Sequence, residues 1–161
     1  MPNDVLLVID GVPGESKDSK HPGAIDVASF SWGETNSGTF AYGTGGGAGK
    51  VSFHDFAFTM KVNKASARLA QACMSGIHFP RAQLFVRKQG EQQRDFYVVT
   101  LEDFIVSSFQ SGGPGNGELV PLDKVTLNFS KIKFEYKPQK ADGTLDPPIT
   151  GGWNLKQNKQ Q

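Results

Sequence analysis

A glycine-rich stretch that ends in lysine is the first feature of the sequence that could support chemistry. Residues 43–50 read Gly-Thr-Gly-Gly-Gly-Ala-Gly-Lys. A phosphate-binding loop needs four residues between its two glycines, then Lys and Ser or Thr, then a helix. Here Thr44 occupies the position of the first glycine, Val51 follows Lys50, and a strand is predicted to follow. The spacing therefore argues against nucleotide binding, and we interpret residues 34–49 as an extended loop.

The other titratable residues form no recognisable catalytic or metal-binding motif. His21, His54 and His78 are far apart, and none has a carboxylate or a second histidine at ligand spacing. Glu102 and Asp103 are adjacent in a predicted strand, so we expect their side chains to point to opposite faces. The sequence has no Gly-x-Ser-x-Gly nucleophile elbow. We therefore predict that the protein is not an enzyme and uses no metal or cofactor.

Length and composition indicate a single domain over residues 1–161. The 17 Lys and Arg residues nearly balance the 16 Asp and Glu residues, which gives no indication of a nucleic-acid-binding surface. No run approaches the ~20 apolar residues of a membrane-spanning helix. The N-terminus lacks the charged segment and long apolar run of a signal peptide. Residues 154–161 are predicted to be a frayed tail.

Apolar periodicity predicts a mainly β protein. The predicted strands are rich in Phe, Val and Thr and cover residues 5–9, 25–32, 51–61, 81–88, 95–109 and 124–136. In the last strand the large apolar residues change from odd to even positions across Ser130 and Lys131, and a similar change separates Phe53 from Phe56. Such a change requires a bulge or a strand that crosses between sheets. We therefore predict a β-barrel of two packed sheets.

One flanking helix is predicted after residue 62. Asn63 is a good N-cap, Gly76 suits a left-handed C-terminal residue, and four small or apolar residues share one face: Ala65, Leu69, Ala72 and Cys73. Cys73 is the single cysteine, so an intramolecular disulfide is excluded. We interpret its thiol as a small buried hydrophobic group.

Short motifs occur in order along nearly the whole chain. They include Gly-Glu-Ser-Lys-Asp at 14–18, Phe-Ser-Trp-Gly at 30–33, Gly-Ala-Gly-Lys-Val at 47–51, Val-Thr-Leu-Asn-Phe at 125–129, Tyr-Lys-Pro-Gln-Lys-Ala-Asp-Gly at 136–143 and Gly-Trp-Asn at 152–154. Each motif alone is weak, but their combined order and spacing resemble the Hcp family, the tube proteins of bacterial type VI secretion.

The resemblance implies a two-sheet β-barrel, six copies of which form a ring. Rings would stack into a tube that is expelled by contraction of a surrounding sheath. The implied partners are further copies of the chain, a spike protein at the tube tip, sheath proteins and effector proteins in the ring lumen, with no nucleic acid and no membrane insertion. The protein is then expected in the cytoplasm during assembly and later outside the cell, without an N-terminal signal peptide.

The extended loop 34–49 supplies one set of candidate assembly residues. Phe40 and Tyr42 are aromatic residues in a segment otherwise poor in apolar side chains, and Gly47 and Lys50 lie at its end. We predict that this loop contacts a neighbouring subunit or ring.

The second predicted strand supplies a candidate lumen surface. Phe30 and Trp32 share one parity and are expected to face the core, so Ser29 and Ser31 point the other way. The resemblance implies that this strand lies in the inward-facing sheet, which would place the two serines on the channel wall. A solvated outer surface is the alternative for them.

Two other classes of function stay open. A monomeric secreted β-barrel that binds a small ligand or glycan would need a convergent aromatic and polar pocket, whereas the 12 Phe against 2 Trp and 3 Tyr suggest core packing. A hydrolase built from distant residues would lack any local nucleophile motif. The mass of the protein in solution separates a hexamer from a monomer.

Overall fold

In a computed structural model, which describes residues 3–37, 51–88, 94–117 and 119–161, the chain is mainly β. Within these residues the elements are β1 (Asn3–Ile9), β2 (Ile25–Asp26), β3 (Ser29–Asn36), β4 (Val51–Lys61), α1 (Ser66–Ser75), β5 (His78–Lys88), β6 (Asp95–Gly112), β7 (Leu122–Tyr136), β8 (Ile149–Asn154) and β9 (Lys159–Gln160). The predicted mainly β class is confirmed.

A β-barrel of two packed sheets was predicted, and in the described part of the chain the strands instead form one continuous antiparallel sheet that no strand ladder closes. Its order is β2-β1-β5-β6-β7-β4-β3, and β8 pairs with β7 and β9. One side of β7 pairs with β6, whereas its other side pairs with β4 over residues 122–127 and with β8 over residues 131–136. The long strands β6 and β7 therefore join the part of the sheet that contains β3 and β4 to the part that contains β5 and β8. In this way a single sheet can surround the core.

The change of parity predicted in β7 is confirmed, and it extends across three strands. In three neighbouring strands, two buried residues lie three positions apart and pair with their counterparts in the next strand. These residues are Phe79 and Ala82 in β5, Leu101 and Phe104 in β6, and Phe129 and Ile132 in β7. Asp103 lies between the two buried residues of β6 and has a φ of 49°, a left-handed value that is uncommon outside glycine. The sheet therefore turns its other face to the core at this level.

The second predicted change of parity, in β4, is also confirmed. Ser31 pairs with Ala57, whereas Gly33 pairs with His54. Two residues of β4 thus lie opposite one residue of β3, which is a β-bulge. The bulge allows both Phe53 and Phe56 to pack against the core.

Two residues connect the ends of the sheet. The Val27 N–H donates to the Val5 carbonyl of β1 at 3.0 Å, and the Ala28 N–H donates to the Thr59 carbonyl of β4 at 2.8 Å. Among the described strands no ladder joins β2 to β3. The predicted single strand 25–32 is therefore wrong, because the chain crosses from one end of the sheet to the other at Val27 and Ala28.

The prediction of Asn63 as N-cap is wrong, because the N-cap of helix α1 is Ala65 and makes no side-chain capping hydrogen bond. The helix itself is confirmed. Its first turn is preceded by Asn63, whose Oδ1 accepts the Ala65 N–H at 2.8 Å. Gly76 ends the helix with a φ of 68°, and its N–H donates to the Ala72 carbonyl at 2.9 Å. Leu69 and Ala72 are buried, and Cys73 is half-buried against the core.

The C-terminal residues form a hairpin, so the prediction of a frayed tail over 154–161 is wrong. Trp153 and Asn154 of β8 pair with Gln160 and Lys159 of β9. Asn154 is buried, and its Oδ1 accepts the Gln157 N–H at 3.0 Å. These backbone pairs and the buried amide hold a polar segment that has no apolar periodicity of its own.

Residues 13–24, here called the strap, cross the face of β5 that points away from the core. Arg87 on this face is 3% exposed and donates to the Asp18 carboxylate of the strap, with Nη1 to Oδ2 at 2.9 Å. The His21 ring stacks on Phe85 at 4.0 Å, and its Nε2 lies 2.8 Å from Asp95 Oδ2 of β6. The hydrogen bond from Arg87 is the main cause that lowers the pKa of Asp18 to about 2. An ionic cluster therefore fixes the strap to the sheet.

Candidate functional surfaces

Four neighbouring strands, in the order β3-β4-β7-β6, present a mainly polar face away from the core, with many Ser and Thr side chains. The registers align two rows across it, Ser29-Thr59-Lys124-Gln110 and Ser31-Ala57-Thr126-Ser108. Because alternate strand residues face opposite sides, the core-facing residues between these rows are large and apolar. We call this surface the polar face.

Ser29 and Ser31 both lie exposed on the polar face. Their neighbours Phe30 and Trp32 pack against the core. Ser29 Oγ is hydrogen-bonded to Thr59 Oγ1 at 2.6 Å. The structure thus places the two serines opposite the aromatic residues, and their position in a lumen stays a prediction.

Hydrogen bonds between side chains connect the strands of the polar face around Asp55. The Asp55 carboxylate accepts from Ser107 Oγ at 2.7 Å and from Asn128 Nδ2 at 2.8 Å. Ser107 Oγ also lies 2.8 Å from Thr126 Oγ1. These contacts cross β4, β7 and β6, so they hold these short side chains against the sheet.

The polar face lies between two open strand edges. In the described residues β3 pairs with β4 alone, and residues 106–112 of β6 pair with β7 alone, since β5 pairs with β6 no further than Ile105. Open edges present unpaired backbone donors and acceptors that another strand can pair with. Because each neighbouring pair of strands is antiparallel, β3 and β6 run in opposite directions, and the two edges can pair as antiparallel strands of different copies.

An apolar surface lies where β4 ends and β7 begins. It consists of four side chains, here called the end patch, with their exposed fractions: Val62 at 42%, Leu119 at 69%, Val120 at 53% and Leu122 at 49%. The Val62 N–H donates to the Pro121 carbonyl at 3.0 Å, which joins the two segments. Exposed apolar side chains that adjoin one another are typical of interaction surfaces.

An aromatic groove lies at the opposite end of β4. It has a volume of about 310 Å³, and its aromatic walls come from Trp32, Phe53, Phe134 and Trp153. The rings of Trp32 and Phe134 are 5.4 Å apart. Glu34 also lines the groove and is exposed. β8 approaches β7 closely here because Gly151 has no side chain, and a Cβ at this position would lie 2.8 Å from the Phe134 ring.

Asp103 is the centre of a fourth, charged site at the bend of the sheet. Its carboxylate lies 3.1 Å from His78 Nδ1, accepts from Ser130 Oγ at 3.1 Å and pairs with Lys156 of the C-terminal hairpin. The hydrogen bond from Lys156 is the main cause that lowers the pKa of Asp103 to about 2. Glu102 and Asp103 line the same pocket of about 480 Å³, so the expectation that they face opposite sides is wrong. The positive φ of Asp103 breaks the alternation of side chains.

The contacts of two histidines were not predictable from local spacing. His21 meets Asp95 and His78 meets Asp103 only because the fold joins distant segments. Within the described ranges no group of three or more His, Cys, Asp or Glu side chains is placed to hold a metal ion.

Most of the predicted extended loop lies outside the described residues. This applies to the candidate residues Phe40, Tyr42, Gly47 and Lys50. The predicted start of the loop at Glu34 is wrong, because β3 continues to Asn36. The backbone of residues 34–36 pairs with β4, which favours strand over loop.

These surfaces belong to a mainly β protein, and comparisons with known proteins identify its family. A family model described as "Type VI secretion system effector, Hcp" matches residues 6–136. The protein hcp1 of Pseudomonas aeruginosa is 46% identical over 159 residues, which cover 98% of each chain. The chain therefore belongs to the Hcp family of type VI secretion proteins.

Solved structures show the same fold. A structure titled as that of a type six secretion system protein has a TM-score of 0.93 and 31% identity, covering 99% of this chain and 100% of the other. Hcp1 from Salmonella typhimurium has a TM-score of 0.82 and 34% identity over 100% of both chains. In the part of the chain that the structure describes, no helix is long and apolar enough to cross a membrane.

Proposed function

We propose that six copies of this chain form a ring that serves as a building block of the type VI secretion tube. The observation that carries the proposal is the polar face between two open strand edges. Pairing the β3 edge of one copy with residues 106–112 of β6 in the next uses two different surfaces of each subunit. Such a head-to-tail contact forms a ring when the rotation closes. Membership of the Hcp family supports this assembly over other uses of the edges.

In this ring the polar face would line the lumen. Ser29 and Ser31 would then present small hydroxyl groups to the channel. Hydroxyl groups offer hydrogen bonds but little apolar area to bury, so effector proteins could be carried without tight binding. Stacked rings would form a tube with a spike protein at its tip and sheath proteins around it. The subunit would assemble in the cytoplasm and leave the cell with the tube.

Negative-stain imaging of the purified protein tests the ring. We expect six-fold particles with a central opening. Uniform particles of the size of one 17.4 kDa chain would contradict the proposal.

A substitution at Ser31 tests the lumen. Ser31→Gln adds a long polar side chain to the polar face, so hexamers should form while capture of a co-expressed effector of the same secretion system decreases. Ser19→Gln, at an exposed serine of the strap, is the matched control and should leave capture unchanged. Loss of the hexamer in Ser31→Gln would instead place Ser31 in a subunit contact, and unchanged capture would place it outside the channel.

The extended loop has a separate test. Replacing residues 38–49 by a short Gly-Ser linker should leave the β fold intact and weaken assembly, because Phe40 and Tyr42 are lost. Circular dichroism reports the fold, and sedimentation reports the assembly. Unchanged assembly would refute a role of the loop between subunits.

A monomeric ligand-binding barrel is the second candidate, and the aromatic groove is the observation that favours it. Aromatic walls beside the Glu34 carboxylate are suited to a small ligand. This candidate requires a monomer in solution, so the same measurement of mass separates the two.

A further inference from the structure

We propose that the end patch of one subunit inserts into the aromatic groove of a subunit in the next ring. The inference rests on the proposed function and assigns the contact between rings to named residues. In this assignment the strand edges hold a ring together, and the two apolar ends hold one ring on another.

The positions of the two surfaces favour this arrangement. Within β4, Lys61 pairs with Leu122 of the end patch, whereas Val51 and Phe53 line the groove. Ten residues of strand correspond to a separation of roughly 33 Å. A contact between opposite ends of identical molecules produces an open stack when the rotation between them does not close. The end patch and the groove lie at the two ends of β4, which is one of the four strands of the polar face. Stacking through them would therefore extend the polar face from one ring to the next.

The shapes of the two surfaces are complementary. Leu119 lies in the connection between β6 and β7, and its exposed fraction of 69% leaves it available to another subunit. The groove is concave, and Trp32, Phe134 and Trp153 provide apolar walls for such a side chain. Transferring the exposed leucines from water to these walls is the main favourable contribution expected.

Charges at the two ends also favour a contact between copies. Lys61 is exposed beside the end patch, and Glu34 is exposed at the groove. A second copy therefore offers an apolar side chain that can fill the groove, and it offers Lys61 to pair with the Glu34 carboxylate. A small apolar ligand would match the walls alone.

Cysteine cross-linking tests the contact directly. In a Cys73→Ser background, Leu119→Cys and Glu34→Cys are combined in one chain and the protein is oxidised. We expect a covalent ladder that extends beyond six chains, with at least tenfold more protein in these species than in either single variant. A ladder that stops at six chains would place both residues within one ring and overturn the inference, as would the absence of a ladder.

A second experiment compares apolar substitutions on the subunit surface. Leu119→Ser with Leu122→Ser should reduce the association constant for stacking at least about tenfold while hexamers persist. Met74→Ser removes an apolar side chain that is 78% exposed on α1 and should leave stacking unchanged. Sedimentation velocity of assembled protein measures both. Equal stacking in the two variants would overturn the inference.

The two proposals fail in different ways. If the wild-type chain is a monomer, the ring is refuted, and the covalent ladder still reports whether the two ends meet. If rings form and neither the ladder nor the leucine substitutions affect stacking, only the contact between rings is refuted.

Discussion

The buried ion pair between Asp18 and Arg87 gives a quantitative prediction for stability. Asp18→Asn keeps the size of the side chain and an oxygen that can accept the Lys20 and His21 N–H groups, which Asp18 Oδ2 accepts at 3.0 and 2.9 Å. The substitution removes the negative charge and one of the two oxygens that accept hydrogen bonds from a guanidinium that is 3% exposed. Asp4, whose Oδ2 lies 3.5 Å from Arg87 Nε, then remains as a carboxylate paired with the guanidinium.

The magnitude follows from the pKa of Asp18. Folding lowers this pKa from 3.8 to about 2, and each pKa unit is worth about 1.36 kcal/mol. The charged carboxylate therefore contributes about 2.4 kcal/mol to the free energy of unfolding at pH 7. Because the folded pKa is the lower one, this contribution is present above pH 4 and decreases as the pH falls towards 2. At pH 3 it should be about 1.3 kcal/mol.

Urea unfolding at pH 7 and pH 3 measures the effect. Wild type and variants are compared at one protein concentration, because assembly adds to apparent stability. Asp18→Asn should cost about 2–3 kcal/mol at pH 7 and about half of that at pH 3. Asp10→Asn, at an exposed aspartate, is the control and should change stability by less than about 0.5 kcal/mol. A loss at pH 7 no larger than the control, or an equal loss at both pH values, would refute the reasoning.

Two further predictions concern backbone positions. Gly14→Ala should destabilise the chain by about 2–3 kcal/mol in urea unfolding, because its Cβ would lie 2.4 Å from the Ala24 carbonyl oxygen, whereas Gly115→Ala meets nothing within 4 Å and should be nearly neutral; equal effects would contradict this. Asp103→Asn keeps a residue type that tolerates positive φ but removes the charged partner of Lys156. Amide exchange in residues 155–160 should then become several-fold faster, and unchanged exchange would show that the ion pair does not hold the hairpin.

The bend of the sheet and the helix could be predicted because they depend on local pattern. Both changes of parity, at Ser130 and between Phe53 and Phe56, require a bulge or a crossing whatever the rest of the fold is. Gly76 likewise acts on a backbone group within a few residues, whereas the N-cap lies at Ala65, two residues after the predicted Asn63. The division of β2 from β3 was not predictable, because it depends on where the two ends of the sheet meet.

The C-terminal hairpin and the strap were missed for different physical reasons. β8 contains Gly151 and Gly152, which are unfavourable in an isolated strand but let β8 approach β7, where a Cβ at Gly152 would lie 2.9 Å from the Ile132 carbonyl oxygen. The strap is held by Asp18 and Arg87, which are 69 residues apart. Contacts across such distances follow from the completed fold and leave no periodic signal in the sequence.

The mass of the unmodified protein in solution tests the central claim most directly. Six chains of 17.4 kDa give a ring of about 104 kDa, and native mass spectrometry at micromolar concentration resolves this from every smaller assembly. The proposed pairing of the β3 and β6 edges predicts that the hexamer is the smallest abundant species. A dominant mass of 17.4 kDa under these conditions would contradict it, and would leave the aromatic groove as the site to examine for a ligand.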